Sequence, residues 1–159
     1  MVESTENIVR VLFPNKVLNG RVLGGAFVLR AHRQETNISV FRTIGKTFVA
    51  DISKLDAGRN LDCSIMTVSK VRSVKIQQGS NSLCCDVVAT GDISQTSHAG
   101  IIVIINNAQL VGGKESDIAI NEDEGGSLDA LVLAMQHRLA NIAQKGLTRV
   151  GTLVSGLQK

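Results

Sequence analysis

The side chains best suited to chemistry are concentrated between residues 84 and 98 of the 159-residue chain. Cys84 and Cys85 are adjacent, Asp92 follows in a polar loop, and His98 stands between hydroxyl residues and an apolar run. A thiol beside a histidine that an acid orients is the arrangement of a cysteine nucleophile. Successive side chains of a strand point to opposite faces, so Cys84 and Cys85 are predicted to face apart rather than share a site.

His98 and Arg21 are the residues that an enzyme hypothesis would use. His98 ends a loop directly before a predicted strand, where a rigid element can fix an acid–base group. Arg21 would clamp the anionic part of a substrate, and Cys84 is a third catalytic candidate. This alternative is a small hydrolase or transferase acting on a phosphate-bearing substrate. The competing interpretation is that His98 bonds to neighbouring hydroxyls and has no catalytic role.

The remaining motifs are incomplete. The GKT triplet at 45–47 resembles the end of a phosphate-binding loop, but Val40 stands where the first glycine is required. The chain has no Cys-x-x-Cys pair. Acidic residues at 122–124, with Glu115 and Asp117, complement the start of a helix as simply as they would hold a cation. We therefore predict no cofactor and no metal.

Composition indicates a single domain over 1–159. Apolar residues make up 43% of the chain, and no stretch approaches the length of a membrane span. Three cysteines, an odd number with two adjacent, indicate free thiols in a reducing compartment, and hence the cytoplasm. The predicted organisation is a β-rich part at 8–106, an acidic and mobile loop at 110–126, a helix at 127–145 and an apolar tail at 147–159.

Positive charge is concentrated at the start of the chain. Residues 1–46 contain seven basic and three acidic side chains, although the whole chain carries only +3. Arg10, Arg21, Arg30 and Arg42 could together contact phosphates, so nucleic-acid binding is a second alternative function. Four Phe and no Tyr or Trp supply few stacking platforms, which argues against single-stranded targets.

Short apolar segments predict a mainly antiparallel sheet. Strands are expected in 8–13, 21–31, 37–43, 83–90 and 99–106, and at the end of 61–76. Segment 47–55 suits either a short helix or a strand. Asn19-Gly20 predicts a hairpin turn, because both residues tolerate positive φ. The IIVII run at 101–105 is typical of a strand that is covered on both faces.

The clearest element is a helix over 127–145. Ser127 is an N-cap residue, Gly146 follows as a C-cap residue, and an apolar stripe recurs at helical spacing. The stripe consists of Leu128, Leu131, Val132, Met135, Leu139 and Ile142. The tail would be a last strand or an ordered arm. The predicted fold class is α+β, a mainly antiparallel sheet with one long C-terminal helix on one face.

Several short motifs resemble a group of small, poorly characterised bacterial accessory proteins. The matching positions are Pro14, Asn15, Gly20, Arg21, Val22, Ala26, Phe27, His98 and Ala99. The resemblance implies no established activity. It implies an accessory role in bacterial gene clusters, including defence or toxin-related ones, and it draws attention to Arg21 and His98 together.

The leading hypothesis is a non-catalytic cytoplasmic module that binds a protein partner or a second copy of itself. The chain is well patterned for folding but contains no complete catalytic or cofactor motif. Its tail, 147–159, contains more apolar residues than a solvated terminus requires. Membrane partners are not expected.

Overall fold

The chain forms ten strands and four α-helices in the residues that the computed structural model describes, 1–92, 96–122 and 126–157. The strands are β1 (Asn7–Leu12), β2 (Val17–Leu18), β3 (Arg21–Val22), β4 (Ile38–Arg42), β5 (Asp62–Thr67), β6 (Lys75–Gln78), β7 (Asn81–Ala89), β8 (His98–Ile105), β9 (Ala108–Gln109) and β10 (Leu147–Arg149). The helices are α1 (Phe48–Asp56), α2 (Val68–Arg72), α3 (Leu128–Lys145) and α4 (Val150–Leu157).

The main sheet is antiparallel throughout its pairings. Its strands follow the order β10-β5-β1-β4-β8-β7-β6, and β9 pairs with β8. Strands β2 and β3 form a separate two-stranded ribbon. The predicted α+β class is therefore confirmed. Within the described residues, no helix has both the length and the apolar character that a bilayer span requires.

Helix α3 covers one face of the sheet, called here the first face. Ser127 accepts a hydrogen bond from the Ala130 amide, and the helix ends at Lys145 with Gly146 as its C-cap residue, as the sequence predicts. The stripe residues Leu131, Met135 and Leu139 are buried in the core that α3 shares with the sheet. The helix packs here because its apolar residues recur with the helical period.

Two further helices cover part of the second face, which the prediction of a single packed helix did not include. The ambiguous segment at 47–55 is helical and buries Phe48 and Ile52. The tail divides into β10 and α4, and Val150 is buried beside α1. These residues form a second core with Val9, Val11, Phe41, Leu61 and Cys63. The apolar excess of the tail is thus used largely inside the fold.

The predicted strand over 21–31 is wrong beyond Val22. A 3₁₀ turn occupies Gly24–Phe27, and both Ala26 and Phe27 are fully buried. Consecutive residues of a strand point to opposite faces, so a strand could not direct both side chains into one core. The turn directs both of them towards α3. The hairpin prediction is confirmed, since Asn19 and Gly20 have φ of 50° and 76°.

Beyond the start of β8, the second face of β8, β7 and β6 has no helix packed on it in the described part of the chain. Ile101, Val103 and Ile105 are buried on the first face, whereas Ile102 and Ile104 are partly exposed on the second. The expectation that the IIVII run is covered on both faces is therefore wrong. An antiparallel sheet can leave one face open to water, which a parallel sheet rarely does.

The acidic segment is fastened to the sheet over its described part, 110–122. Leu110 and Ile118 are buried, and buried Asn81 accepts hydrogen bonds from the Asn121 amide at 2.8 Å and from Asn106 Nδ2 at 3.0 Å. Asn81 Nδ2 donates to the Asn121 carbonyl in return. These hydrogen bonds join the described part of the segment to β7 and to the turn after β8.

Candidate functional site

His98 lies on the second face, at the start of β8. Its ring meets Phe41 edge-on, with centroids 5.1 Å apart, and its Nε2 lies 3.7 Å from Asp51 Oδ2 on α1. A distance of 3.7 Å exceeds the range of a hydrogen bond. The imidazole is about one-third exposed, and its contacts are with Phe41 and Asp51 rather than with the neighbouring hydroxyls that the competing interpretation expected.

Asp51 is the centre of a small polar cluster. The hydroxyls of Thr47 and Ser97 each donate to its Oδ2 at 2.6 Å, and Ser97 is fully buried. Burial, the largest influence, raises the pKa of Asp51. The hydrogen bonds from Ser97 and Thr47 oppose it, and together with the charges of His98 and Lys54 they hold the pKa below its ordinary value.

The cluster does not have the geometry of a nucleophile and its base. Ser97 directs its hydroxyl proton to the carboxylate of Asp51, where a nucleophile would direct it to the imidazole of His98. Its oxygen is also closed off from solvent. The cluster instead joins α1 to the strand that follows Ser97.

The GKT triplet belongs to the same anchor. A Cβ added at Gly45 would lie 2.5 Å from Ser97 Cα, so the chain can approach Ser97 only because residue 45 is glycine. Thr47 supplies a hydroxyl to Asp51, and Lys46 is exposed. These contacts account for the triplet by packing, and phosphate binding is not needed to explain it.

Arg21 lies on the other side of the sheet from His98. Its strand is held to α3 by a hydrogen bond of 2.7 Å from the Val22 amide to Gln144 Oε1, and α3 covers the first face. His98 contacts Phe41 and α1 on the second face. The structure therefore does not bring the predicted anion clamp and the predicted acid–base group into one pocket.

Cys84 is also distant from His98. It pairs with Ile104, six residues along β8 from His98, which corresponds to roughly 20 Å. Cys84 is partly exposed on the second face, and Cys85 is buried on the first, as the strand alternation predicts. Burial raises the pKa of Cys85 and of Cys63 to about 12, which leaves both as unreactive thiols at neutral pH.

Three of the four arginines named for nucleic-acid binding form hydrogen bonds or ion pairs within the fold. Arg42 forms a two-pronged ion pair with Glu6 at 2.8 and 2.9 Å, and Arg30 pairs with Glu35. Arg10 is partly buried and donates to main-chain carbonyls. Burial lowers its pKa to about 10, so it remains a cation at neutral pH. Of these four arginines, Arg21 is the one whose side chain has no hydrogen bond or ion pair within the described residues.

An apolar groove lies beside α3, and the sequence did not indicate it as a site. Its volume is about 390 Å³. It is lined by Phe27, Val28, Leu29, Leu110, Glu115, Leu128, Asp129, Val132, Leu133, Met135 and Gln136. Leu133 is 52% exposed and Val28 is 40% exposed, so two large apolar side chains meet water there. Leu133 lies outside the apolar stripe that the sequence predicts for α3. This position was the feature by which the sequence could have indicated the groove.

Acidic residues border the groove. Glu115 and Asp129 are the charged residues among its lining, and an adjoining depression adds Glu122 while sharing Glu115 and Leu128. In the described part of the chain, no three His, Cys, Asp or Glu side chains form a metal-binding group. Asp123 and Glu124, which belong to the acidic run, lie outside the described residues.

The residues that carry the bacterial resemblance lie mostly in structural positions. Val22, Ala26, Phe27 and Ala99 are buried, and Gly20 occupies the hairpin turn. Comparisons of the chain with protein-family models, with curated proteins and with solved structures find no match.

Proposed function

We propose that this protein is a non-catalytic protein-interaction module whose contact surface is the groove beside α3. The observation that carries the proposal is the exposure of Leu133 and Val28 inside a concave apolar surface. A soluble chain gains free energy by covering such side chains, and a groove along a helix can receive a segment of another polypeptide. An accessory role in a bacterial defence or toxin-related system would be compatible with this activity and is part of the proposal.

The two alternative functions have less support. A hydrolase or transferase would need His98 and Arg21 to meet one substrate, and they lie on opposite sides of the sheet. Nucleic-acid binding would need a free basic surface, and Arg10, Arg30 and Arg42 are engaged by carboxylates or carbonyls.

A peptide library displayed on phage tests the proposal directly. Peptides selected on the wild-type chain are synthesised, and their affinities are measured by fluorescence anisotropy for the wild type, Leu133→Asp and Leu157→Asp. Leu157 is a matched control, because it is also a helical leucine with 52% exposure but lies on α4, away from the groove. We expect Leu133→Asp to weaken binding at least about tenfold, because a charge would enter an apolar contact.

The control variant Leu157→Asp should bind each peptide within about twofold of the wild type. If no selected peptide depends on Leu133, or if both aspartate variants lose binding equally, the groove is not the contact surface and the proposal is wrong. Loss of a hydrolytic activity on replacement of His98, with peptide binding unchanged, would favour the enzyme instead.

A further inference from the structure

This inference rests on the proposed function and names the partner. We infer that the groove of one chain receives the hairpin tip of a second copy of the same chain. The hairpin tip is the turn of the β2–β3 ribbon, residues 18–21. The inference depends on three features: the chemistry of the tip, the chemistry of the groove, and their positions along α3.

The hairpin tip combines an apolar side chain with a cation. Leu18 is 60% exposed, and Arg21 is its partner across the ribbon. Residues opposite one another in an antiparallel pair project from the same face, so Leu18 and Arg21 present a joint surface. The Asn19-Gly20 turn, with positive φ at both residues, keeps this surface at the end of a compact ribbon.

The groove has the complementary chemistry. It offers Leu133 and Val28 to an apolar side chain, and it is bordered by the carboxylates of Glu115 and Asp129. No basic side chain of the described residues forms an ion pair with either carboxylate. An incoming arginine would therefore find acidic partners that the chain itself leaves without a counter-ion. Complementary charge of this kind orients an interface and accelerates association.

The positions of the two surfaces along α3 allow each copy to place its hairpin tip in the groove of the other. The ribbon is held near the C-terminal end of α3, where Gln144 bonds to Val22 and to Gly20, whereas the groove is lined by α3 between Leu128 and Gln136. Residues 136 and 144 are separated by about 12 Å of helix. A two-fold axis perpendicular to α3 places α3 of the second copy antiparallel to α3 of the first. Each tip then faces the other groove, as a closed symmetric dimer requires.

Analytical ultracentrifugation of the full chain tests the inference, between about 1 and 100 μM. We expect a concentration-dependent dimer. Leu18→Asp and Leu133→Asp should each raise its dissociation constant at least about 100-fold, because both contacts of the dimer lose a buried leucine. Ile44→Asp is the control for the tip, since Ile44 is 66% exposed and outside both surfaces, and Leu157→Asp is the control for the groove.

Charge exchange and mixing make the test specific. Arg21→Glu should weaken the dimer roughly tenfold, and Glu115→Arg or Asp129→Arg in the same chain should restore much of the loss. An equimolar mixture of Leu18→Asp and Leu133→Asp chains should form a heterodimer, because one tip and one groove remain intact. Circular dichroism melting establishes that each variant is folded.

A chain that stays monomeric throughout this range, or a dimer that is insensitive to both Leu18→Asp and Leu133→Asp, would overturn the inference. A monomer that still binds library peptides through Leu133 removes the second copy as partner but leaves the proposed function standing. Absence of both self-association and Leu133-dependent peptide binding overturns the two together.

Discussion

Asp51 is an ionisable residue that two hydroxyl groups hold in place. Two hydroxyl groups donate to a single carboxylate oxygen at 2.6 Å, one from Thr47, the residue before α1, and one from Ser97, the residue before β8. Hydrogen bonds to a charged acceptor are stronger than those between neutral groups. The cluster therefore stabilises the approach of α1 to the sheet, and this accounts for the polar residues around His98 without a reaction.

Asp51→Asn is expected to lower the free energy of unfolding by about 1–3 kcal/mol at neutral pH. The pKa of Asp51 lies below its ordinary value of 3.8 in the folded chain. Its contribution is therefore complete above that ordinary value and is lost as the pH falls through the folded pKa. Urea unfolding at pH 7 and at about pH 3 should show the difference between wild type and variant shrinking on acidification.

Asp117→Asn is the control for this measurement, because Asp117 is exposed. Its stability should follow that of the wild type at both pH values. A difference for Asp51→Asn that grows on acidification would show that the carboxylate does not stabilise the fold.

At the scale of elements, the placement of α1 on the second face depends on a close approach of two backbones. Gly45 precedes α1 and lies against Ser97, where a side chain would overlap the Ser97 backbone. The amide of Phe48, the first residue of α1, bonds to the Gly45 carbonyl at 3.0 Å. The position of α1 and the hydrogen bonds to Asp51 therefore both require that residue 45 has no side chain.

Gly45→Ala is expected to destabilise the fold by about 1–3 kcal/mol, because the methyl group forces the Ser97 backbone to move. For a chain of this size, that corresponds to a fall in melting temperature of about 2–12 °C, measured by circular dichroism. Gly156→Ala is the matched control, since Gly156 lies in α4 with no atom close to an added Cβ. We expect Gly156→Ala to be neutral or stabilising, because alanine is the better helix former; equal melting temperatures for both variants would contradict this account of Gly45.

For the whole molecule, the main consequence of the fold is that three separate parts of the chain form the groove beside α3. The segments around Phe27 and Leu110 form one side, and α3 forms the other. The acidic segment that carries Glu115 is fixed at its far end by Asn81, a buried side chain on β7. The shape of the contact surface therefore depends on a hydrogen-bond network outside it.

Asn81→Ala tests this dependence. The substitution removes two acceptor contacts and one donor contact and leaves the Asn121 main chain without these partners, at a cost of about 2–3 kcal/mol. Both stability and Leu133-dependent binding should fall, as measured by urea unfolding and by fluorescence anisotropy. Asn141→Ala, at an exposed position on α3, should change neither. Unchanged binding in a folded but destabilised Asn81→Ala chain would show that the groove does not need this anchor.

The sequence by itself determined the features that depend on neighbouring residues. The limits of α3, the turn at Asn19-Gly20 and the opposite orientation of Cys84 and Cys85 follow from capping, backbone sterics and strand alternation, all of which act within a few residues. The α+β class followed from the same local patterns. The short helix at 48–56 remained ambiguous, because its spacing suits either element until a partner surface is present.

Tertiary structure alone decided which of the chemical side chains meet. The folding of the chain separates Arg21 from His98 by placing them on different sides of the sheet, and it joins Asp51 to Ser97, 46 residues apart. It also places Leu133, which lies beside the apolar stripe of α3, in the wall of the groove. Contacts between distant residues depend on how strands are ordered and helices are packed. That order depends on how apolar side chains from distant segments are buried together, so no local pattern contains it.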